Sequence, residues 1–263
     1  MPTAVQGWTE SFVEVAGHEV HISRAGSGPP LLLLPDDIGV PGWLPFHERL
    51  AERFELILVS HPGFGRSERP DWARNVRDLA ALESALLRRM GLDRPAVVGF
   101  GLGGWLAAEM ATQCGPCFER MVLVAPFGMQ PLEGEIHDQF LGRGPAYARA
   151  GFADTSRFEA TYGAEPDLDT LEAWEINREM TARVAWSPYL FNQSLPHLLP
   201  LVETPALIAW GREDAIVPPV EAARWASLLP RAAVTLLEGC GHRVDVERPH
   251  ELAKAIFDFM EQP

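Results

Sequence analysis

The stretch Val97-Val98-Gly99-Phe100-Gly101-Leu102-Gly103-Gly104 decides how this chain is read. Apolar residues lead into it from Ala96, and Trp105-Leu106-Ala107-Ala108-Glu109-Met110-Ala111 continues as a helical run, so the pattern predicts strand, tight turn, helix. That is the setting of a nucleophile elbow, Gly-x-Ser-x-Gly, in which a sharp turn lifts one hydroxyl above a sheet. Here the lifted position is Gly101, which has no side chain. Glycine accepts strained dihedrals at little cost, so this turn is expected to be more relaxed than one carrying serine.

Working outward, short and wholly apolar runs recur at 31–34, 56–59 and 121–124, as strands buried on both faces require, and the strand pattern resumes at 205–210 and 233–237. Helical patterns lie between them near 44–53, 75–90 and 103–114, and a final helix is expected over 249–260. Residues 12–15 and 19–22 flank Ala16-Gly17-His18 as an opening hairpin. After Ala125-Pro126 the rhythm breaks, with helical periodicity near 135–150 and 168–185 and no strong strand. The reading is an α/β fold: a mostly parallel central sheet flanked by helices, one core domain from 1–126 and 201–263, and a helical cap inserted over 127–200.

Composition narrows the function. Hydrophobic residues make up 47% of 263, ample for one well-buried core, and a formal charge of −14 argues against nucleic acid or an anionic membrane as partner. Lys254 is the only lysine, and it falls on the amphipathic final helix, which excludes a Schiff base elsewhere. Residues 1–6 lack the basic and apolar regions of a leader, and no apolar run is long enough to span a bilayer. Cys114-Gly115-Pro116-Cys117 has the spacing of a redox or zinc motif, but no second ligand pair lies near it, so a surface turn with incidental thiols is expected. No metal or cofactor is expected, and a cytoplasmic location follows. The oligomeric state stays open, a homodimer included.

Three sites fall at the C-terminal ends of expected strands, where open α/β sheets place ligand-binding groups: Gly101, Asp214 within Gly211-Arg212-Glu213-Asp214, and His242 within Gly239-Cys240-Gly241-His242. With His61-Pro62-Gly63-Phe64-Gly65-Arg66-Ser67, these stretches resemble the α/β-hydrolase superfamily over essentially the whole chain. The likeness is greatest to the capped group of esterases, C–C bond hydrolases of ring-cleavage products and lactone hydrolases. The resemblance implies His242 as general base, Asp214 as the acid orienting it, and His61 as a brace for its loop. His18, His21, His47, His137, His197 and His250 have no such context and are expected to be solvated.

Two departures from that family stand out. Gly101 replaces the serine, and Ser60 and Ser67 sit in loops that cannot substitute without rearrangement. At Leu34-Pro35-Asp36-Asp37-Ile38-Gly39 the family commonly has His-Gly-x-x-Gly, whose backbone N–H groups help form the oxyanion hole; Asp36, Asp37 and Leu102 make up that region here. The sequence leaves open whether the two carboxylates face the hole or solvent. Divergence at both places points to a natural loss of acyl transfer rather than an engineered Ser→Gly change. With Oγ gone, an empty seat beside His242 has room for water. Three readings remain: an enzyme in which the His242–Asp214 dyad activates water or takes a substrate proton, as a hydrolase or a lyase or isomerase would; an inert ligand-binding or partner protein; and an engineered inactive serine enzyme. Trp43, Phe100, Trp105 and Trp186 are expected to line a pocket between cap and core for a small apolar or aromatic carbonyl compound.

Overall fold

The apolar runs become strands and the periodic runs helices, in the order β1 (Thr3–Val5), β2 (Trp8–Val15), β3 (His18–Gly26), β4 (Pro30–Leu34), α1 (Pro45–Ala51), β5 (Glu55–Val59), α2 (Val76–Arg89), β6 (Ala96–Phe100), α3 (Leu102–Cys114) and β7 (Met121–Val124). Four helices follow, α4 (Gly144–Ala150), α5 (Thr155–Tyr162), α6 (Leu168–Ala185) and α7 (Leu195–Leu198). The chain then returns as β8 (Ala206–Gly211), α8 (Glu221–Leu228), β9 (Ala232–Leu237), α9 (Val244–Glu247) and α10 (Pro249–Met260). The structure is a computed structural model that describes residues 3–5 and 7–262. Part of the N-terminal stretch read for a leader (Met1, Pro2 and Gln6) lies outside the described residues.

Among the described residues nine strands form one sheet in the order β1-β2-β3-β5-β4-β6-β7-β8-β9. The first three pairings are antiparallel and the rest parallel. Both faces are covered. Leu32 and Leu34 of β4 join a core with α2, α3 and α8, whereas Leu31 and Leu33 join a core with α1 and α10. This alternation is why β4 reads as an unbroken apolar run.

Between β7 and β8 the structure differs from the expected pattern. The helix expected near 135–150 is confined to α4, because Pro131, Gly134 and Gly142 interrupt the stretch before it. The α5 helix was not anticipated; Asp154 caps it by accepting the Ser156 N–H at 2.9 Å. The three cysteines are free, with Cys114 exposed at the end of α3. Among the described residues no helix is long and apolar enough to cross a membrane.

The parallel register sets Leu34 of β4 beside Gly99 of β6, so the loop after β4 and the turn after β6 leave the sheet side by side. Gly103 permits the close approach: a Cβ there would lie 2.1 Å from the Leu34 carbonyl oxygen. Gly103→Ala is therefore expected to force α3 off β4 and lower unfolding stability by about 2–3 kcal/mol, measured by urea denaturation. A change below about 0.5 kcal/mol would contradict this packing.

Candidate active site

Gly101 sits between β6 and α3 at φ +45°, ψ −107°. This is not the ordinary left-handed well but a conformation that side-chain-bearing residues adopt only under strain. The turn keeps its sharpness and is not relaxed as expected. The seat above it is also not empty. A Cβ on Gly101 would lie 1.8 Å from Oδ1 of Asp36, so the Asp36 carboxylate fills the place where a serine side chain would stand.

Asp36 Oδ1 accepts the Leu102 N–H at 3.1 Å and the Asp37 N–H at 2.8 Å. The two backbone donors expected to hold a substrate oxyanion hold the protein's own carboxylate instead. Asp36 Oδ2 lies 3.2 Å from His242 Nε2. On the other side of the ring, His242 Nδ1 meets Asp214 Oδ2 at 2.8 Å. Asp214 is fixed in turn, its Oδ1 accepting the N–H groups of Ile216 at 2.8 Å and Val217 at 3.0 Å. The Phe127 ring stacks on the imidazole with centroids 5.6 Å apart. Nε2 has no in-line hydrogen-bond partner, so its contact with Asp36 is one of charge.

The electrostatics follow from this clamp. Burial works against a charged His242, but Asp214 and Asp36 outweigh it and hold the imidazole protonated well above its ordinary range. Burial likewise opposes an ionised Asp36, and the facing His242 overcomes it, keeping the carboxyl well below the usual carboxylate range. An imidazolium between two carboxylates cannot act as a general base while Asp36 stays charged. Asp37 differs: burial first, then the Asp36 charge, push its carboxyl well above the ordinary 3.8. Its Oδ2 accepts from Gln139 Nε2 at 2.8 Å and from the Tyr147 hydroxyl at 3.1 Å, tying the segment between β7 and β8 to the loop. Both carboxylates point inward, which settles the orientation that the sequence left open.

His61 steadies the same loop, its Nε2–H donating to the Pro35 carbonyl at 2.8 Å while Nδ1 contacts Glu83 of α2 at 2.5 Å. Two further histidines expected in solvent are buried. His47 accepts the Leu44 N–H at 3.1 Å, and burial lowers it to about 4; His21 lies under the Phe12 ring. Sequence reasoning missed Arg243. It is buried, held by Asp245 through Nε at 3.1 Å and Nη2 at 3.0 Å, and its Nη1 donates to the Tyr162 hydroxyl at 3.1 Å.

Of the four aromatics expected around a pocket, only Trp43 borders the cavity of about 290 Å³ that reaches Asp36, between β3, the loop after β4, the end of β5 and α6. Phe100 borders a separate void of about 10 Å³, shared with Asp36, His47, His242 and Arg243, with room for about one water molecule. Trp105 is turned away, its Nε1 donating to Glu109 one helical turn on at 3.0 Å. Trp186 is more than half exposed, edge-on to Phe140. Neither borders the Asp36 cavity.

Fold, strand order and site now allow comparison with known proteins. The model of the alpha/beta hydrolase family matches residues 31–255. The chain belongs to that family. A 2-hydroxy-6-oxononadienedioate/2-hydroxy-6-oxononatrienedioate hydrolase of Burkholderia vietnamiensis is 26% identical to this alpha/beta hydrolase, over 93% of this chain and 88% of the relative. A 2-hydroxymuconate semialdehyde hydrolase of a Pseudomonas species is 25% identical, over 93% of this chain and 91% of the relative. Among solved structures, a meta-cleavage product hydrolase superposes with a TM-score of 0.79 at 19% identity, covering 96% of this chain and 98% of that one. A membrane phospholipase A does so at 0.82 and 24%, covering 97% and 86%. At those identities the structures attest the fold alone.

Two outcomes are expected from the site. Gly101→Ser must expel Asp36 from its two N–H donors and strain the turn, lowering stability by about 2 kcal/mol or more. Adding Asp36→Gly should recover much of the loss, and equal melting temperatures for wild type and Gly101→Ser would refute the clash. Asp37 binds its proton more tightly in the folded chain than in the unfolded one. Its contribution is therefore full below the unfolded value of 3.8 and is lost as pH rises above it. Asp37→Asn keeps an acceptor for Gln139 and Tyr147, so the variant should melt higher than wild type at pH 8, with the gap closing toward pH 4. A gap that widens on acidification would show the opposite sign.

Proposed function

We propose that this alpha/beta hydrolase is an enzyme whose attacking group is the Asp36 carboxylate, with His242 and Asp214 as its proton-handling partners. One observation carries the reading: Asp36 Oδ1 occupies the Leu102 and Asp37 N–H groups, so the only oxyanion those donors can stabilise is one formed on Asp36 itself. A carbonyl substrate, as expected from the sequence, would find no free donors there. An sp³ carbon bonded to a strained ring oxygen needs none in the first step. The supported class is a small apolar or aromatic epoxide, seated in the cavity bordered by Trp43, Ile38, Val40 and Phe64. Dianions of the kind named for the Burkholderia relative are disfavoured, because they would meet the Asp36 charge.

The atoms balance as follows. Asp36 Oδ2 attacks the ring carbon, the C–O bond breaks, and the alkoxide takes the proton of His242, leaving an ester and a neutral imidazole. His242 then removes a proton from water, and the hydroxide adds to Cγ of Asp36. The resulting oxyanion is held by the Leu102 and Asp37 N–H groups. Collapse breaks the bond from Cγ to the alkyl oxygen, the departing alkoxide takes the proton of the hydroxyl just added to Cγ, and Asp36 and His242 return as carboxylate and imidazolium. The void of about 10 Å³ beside Asp36 and His242 is the place for that water.

A second reading has its own support: a carboxylate already in the hole mimics a bound product, as in a binding protein that no longer turns over. Single turnover of styrene oxide and related neutral epoxides in ¹⁸O-water separates the two. Mass spectrometry of the peptide containing Asp36 should show one ¹⁸O and the diol none, and Asp36→Asn and His242→Gln should each lower the rate at least about 10³-fold, because the imidazole serves both steps. Label in the diol alone would sink the covalent route and return the dyad to activating water directly. No product from any epoxide would favour the binding protein.

A further inference from the structure

We propose that the cavity bordered by Asp36 contains a recognition site for an uncharged oxygen acceptor, built from the Ser60 hydroxyl and the Asn177 amide, and that the cavity rejects carboxylates. This rests on the reading of the Asp36 cavity as the seat of a small molecule, not on the chemistry assigned to Asp36. The first support is the direction of hydrogen bonding along the cavity wall. Arg66 Nη1 can only donate, and it lies 3.3 Å from His21 Nε2, so that nitrogen accepts and the ring proton sits on Nδ1. Nδ1 contacts the Ser60 Oγ at 3.1 Å, which makes Ser60 an acceptor from within the protein. Its own hydrogen has no acceptor among the described residues and is left for the cavity that Ser60 borders. Asn177 is fixed in the same sense: its Oδ1 accepts the Gly65 N–H at 2.8 Å, which turns the amide NH₂ toward the Gly39 side of the cavity. Both side chains offer donors.

The second support is a census of charge. Arg66 is held by Glu10 at 2.6 Å and His61 by Glu83 at 2.5 Å. Burial and the Arg66 guanidinium push His21 below its ordinary value, so it is neutral near pH 7 although Glu10 Oε1 lies 3.5 Å away. The remaining charged group on the wall is Asp36, paired with His242. Among the described residues, every cation that borders the cavity already has a carboxylate. A bound carboxylate would have to break one of these pairs or lose its water without compensation. A ketone, ether or hydroxyl oxygen meets two waiting donors and displaces no ion.

Three unreactive probes of similar size test this on the wild-type chain: ethylbenzene, acetophenone and 4-acetylbenzoate, with binding measured by calorimetry. Acetophenone should bind about tenfold tighter than either of the others. Ser60→Ala should remove most of its advantage over ethylbenzene while leaving ethylbenzene unchanged. Glu10→Gln frees the guanidinium of Arg66 and should raise affinity for 4-acetylbenzoate about tenfold. The proposal is overturned if the wild-type chain prefers the carboxylate, if acetophenone and ethylbenzene bind alike, or if Ser60→Ala, folded by circular dichroism, keeps the preference. No probe is turned over, so the ¹⁸O experiment and this one can fail separately.

Discussion

Position 101 and Asp36 cannot both present a side chain to the elbow. A Cβ on residue 101 would penetrate Oδ1 of Asp36, and the two N–H groups that hold this oxygen are the ones a serine enzyme of this fold leaves for its substrate. Glycine at 101 therefore does more than delete a hydroxyl. It opens the space into which the carboxylate from the neighbouring strand end turns, and it supplies the strained φ, ψ pair that keeps Leu102 N–H aimed there. The remaining polar architecture accommodates that anion.

A buried carboxylate is costly unless charge and hydrogen bonds compensate it, and each element around the elbow contributes. His242 supplies the opposite charge and is steadied by Asp214, itself fixed by the Ile216 and Val217 N–H groups. His61 grips the Pro35 carbonyl one residue before Asp36 and is anchored on α2 through Glu83. Arg243, neutralised by Asp245, adds positive potential from behind. Asp37 has no such support. It lies next to a charge of its own sign and finds only the neutral donors Gln139 and Tyr147, so the adjacent carboxyls are driven in opposite directions, Asp36 toward ionisation and Asp37 toward holding its proton.

Most of the scaffold was legible in the sequence because parallel strands buried on both faces must be continuously apolar, as Leu31–Leu34 and Met121–Val124 are. The spacing of Gly101, Asp214 and His242 also brought the right three positions together. What the sequence could not deliver was direction. Trp105 looked like a pocket residue until Glu109, four residues on, drew its indole along the helix. Asp36 could have faced solvent or site, and the choice depends on a side chain missing 65 positions away. The signal was present in combination: a glycine where bulk is expected and a carboxylate on the facing loop are complementary in volume and in hydrogen bonding. The α5 helix was missed for a simpler reason, its cap at Asp154 standing before a run with little amphipathic pattern.

The double clamp on His242 also imposes an order on proton transfer. While Asp36 is ionised, the imidazole is held as a cation and can donate but not accept. Esterification of Asp36 would remove one of the two charges that raise its pKa, leaving Asp214 to orient a ring that has just given up its proton. The base needed for hydrolysis would thus appear only after the ester exists, and water in the adjacent void would not be activated beforehand. An empty seat would have left His242 with Asp214 alone, ready to deprotonate water at any time. Placing a carboxylate on the facing loop, where the turn would otherwise carry a serine, keeps a reactive oxygen within reach of the same imidazole. On the proposed mechanism, the chain has therefore exchanged the position and chemistry of its nucleophile while keeping the fold's proton relay and its oxyanion donors.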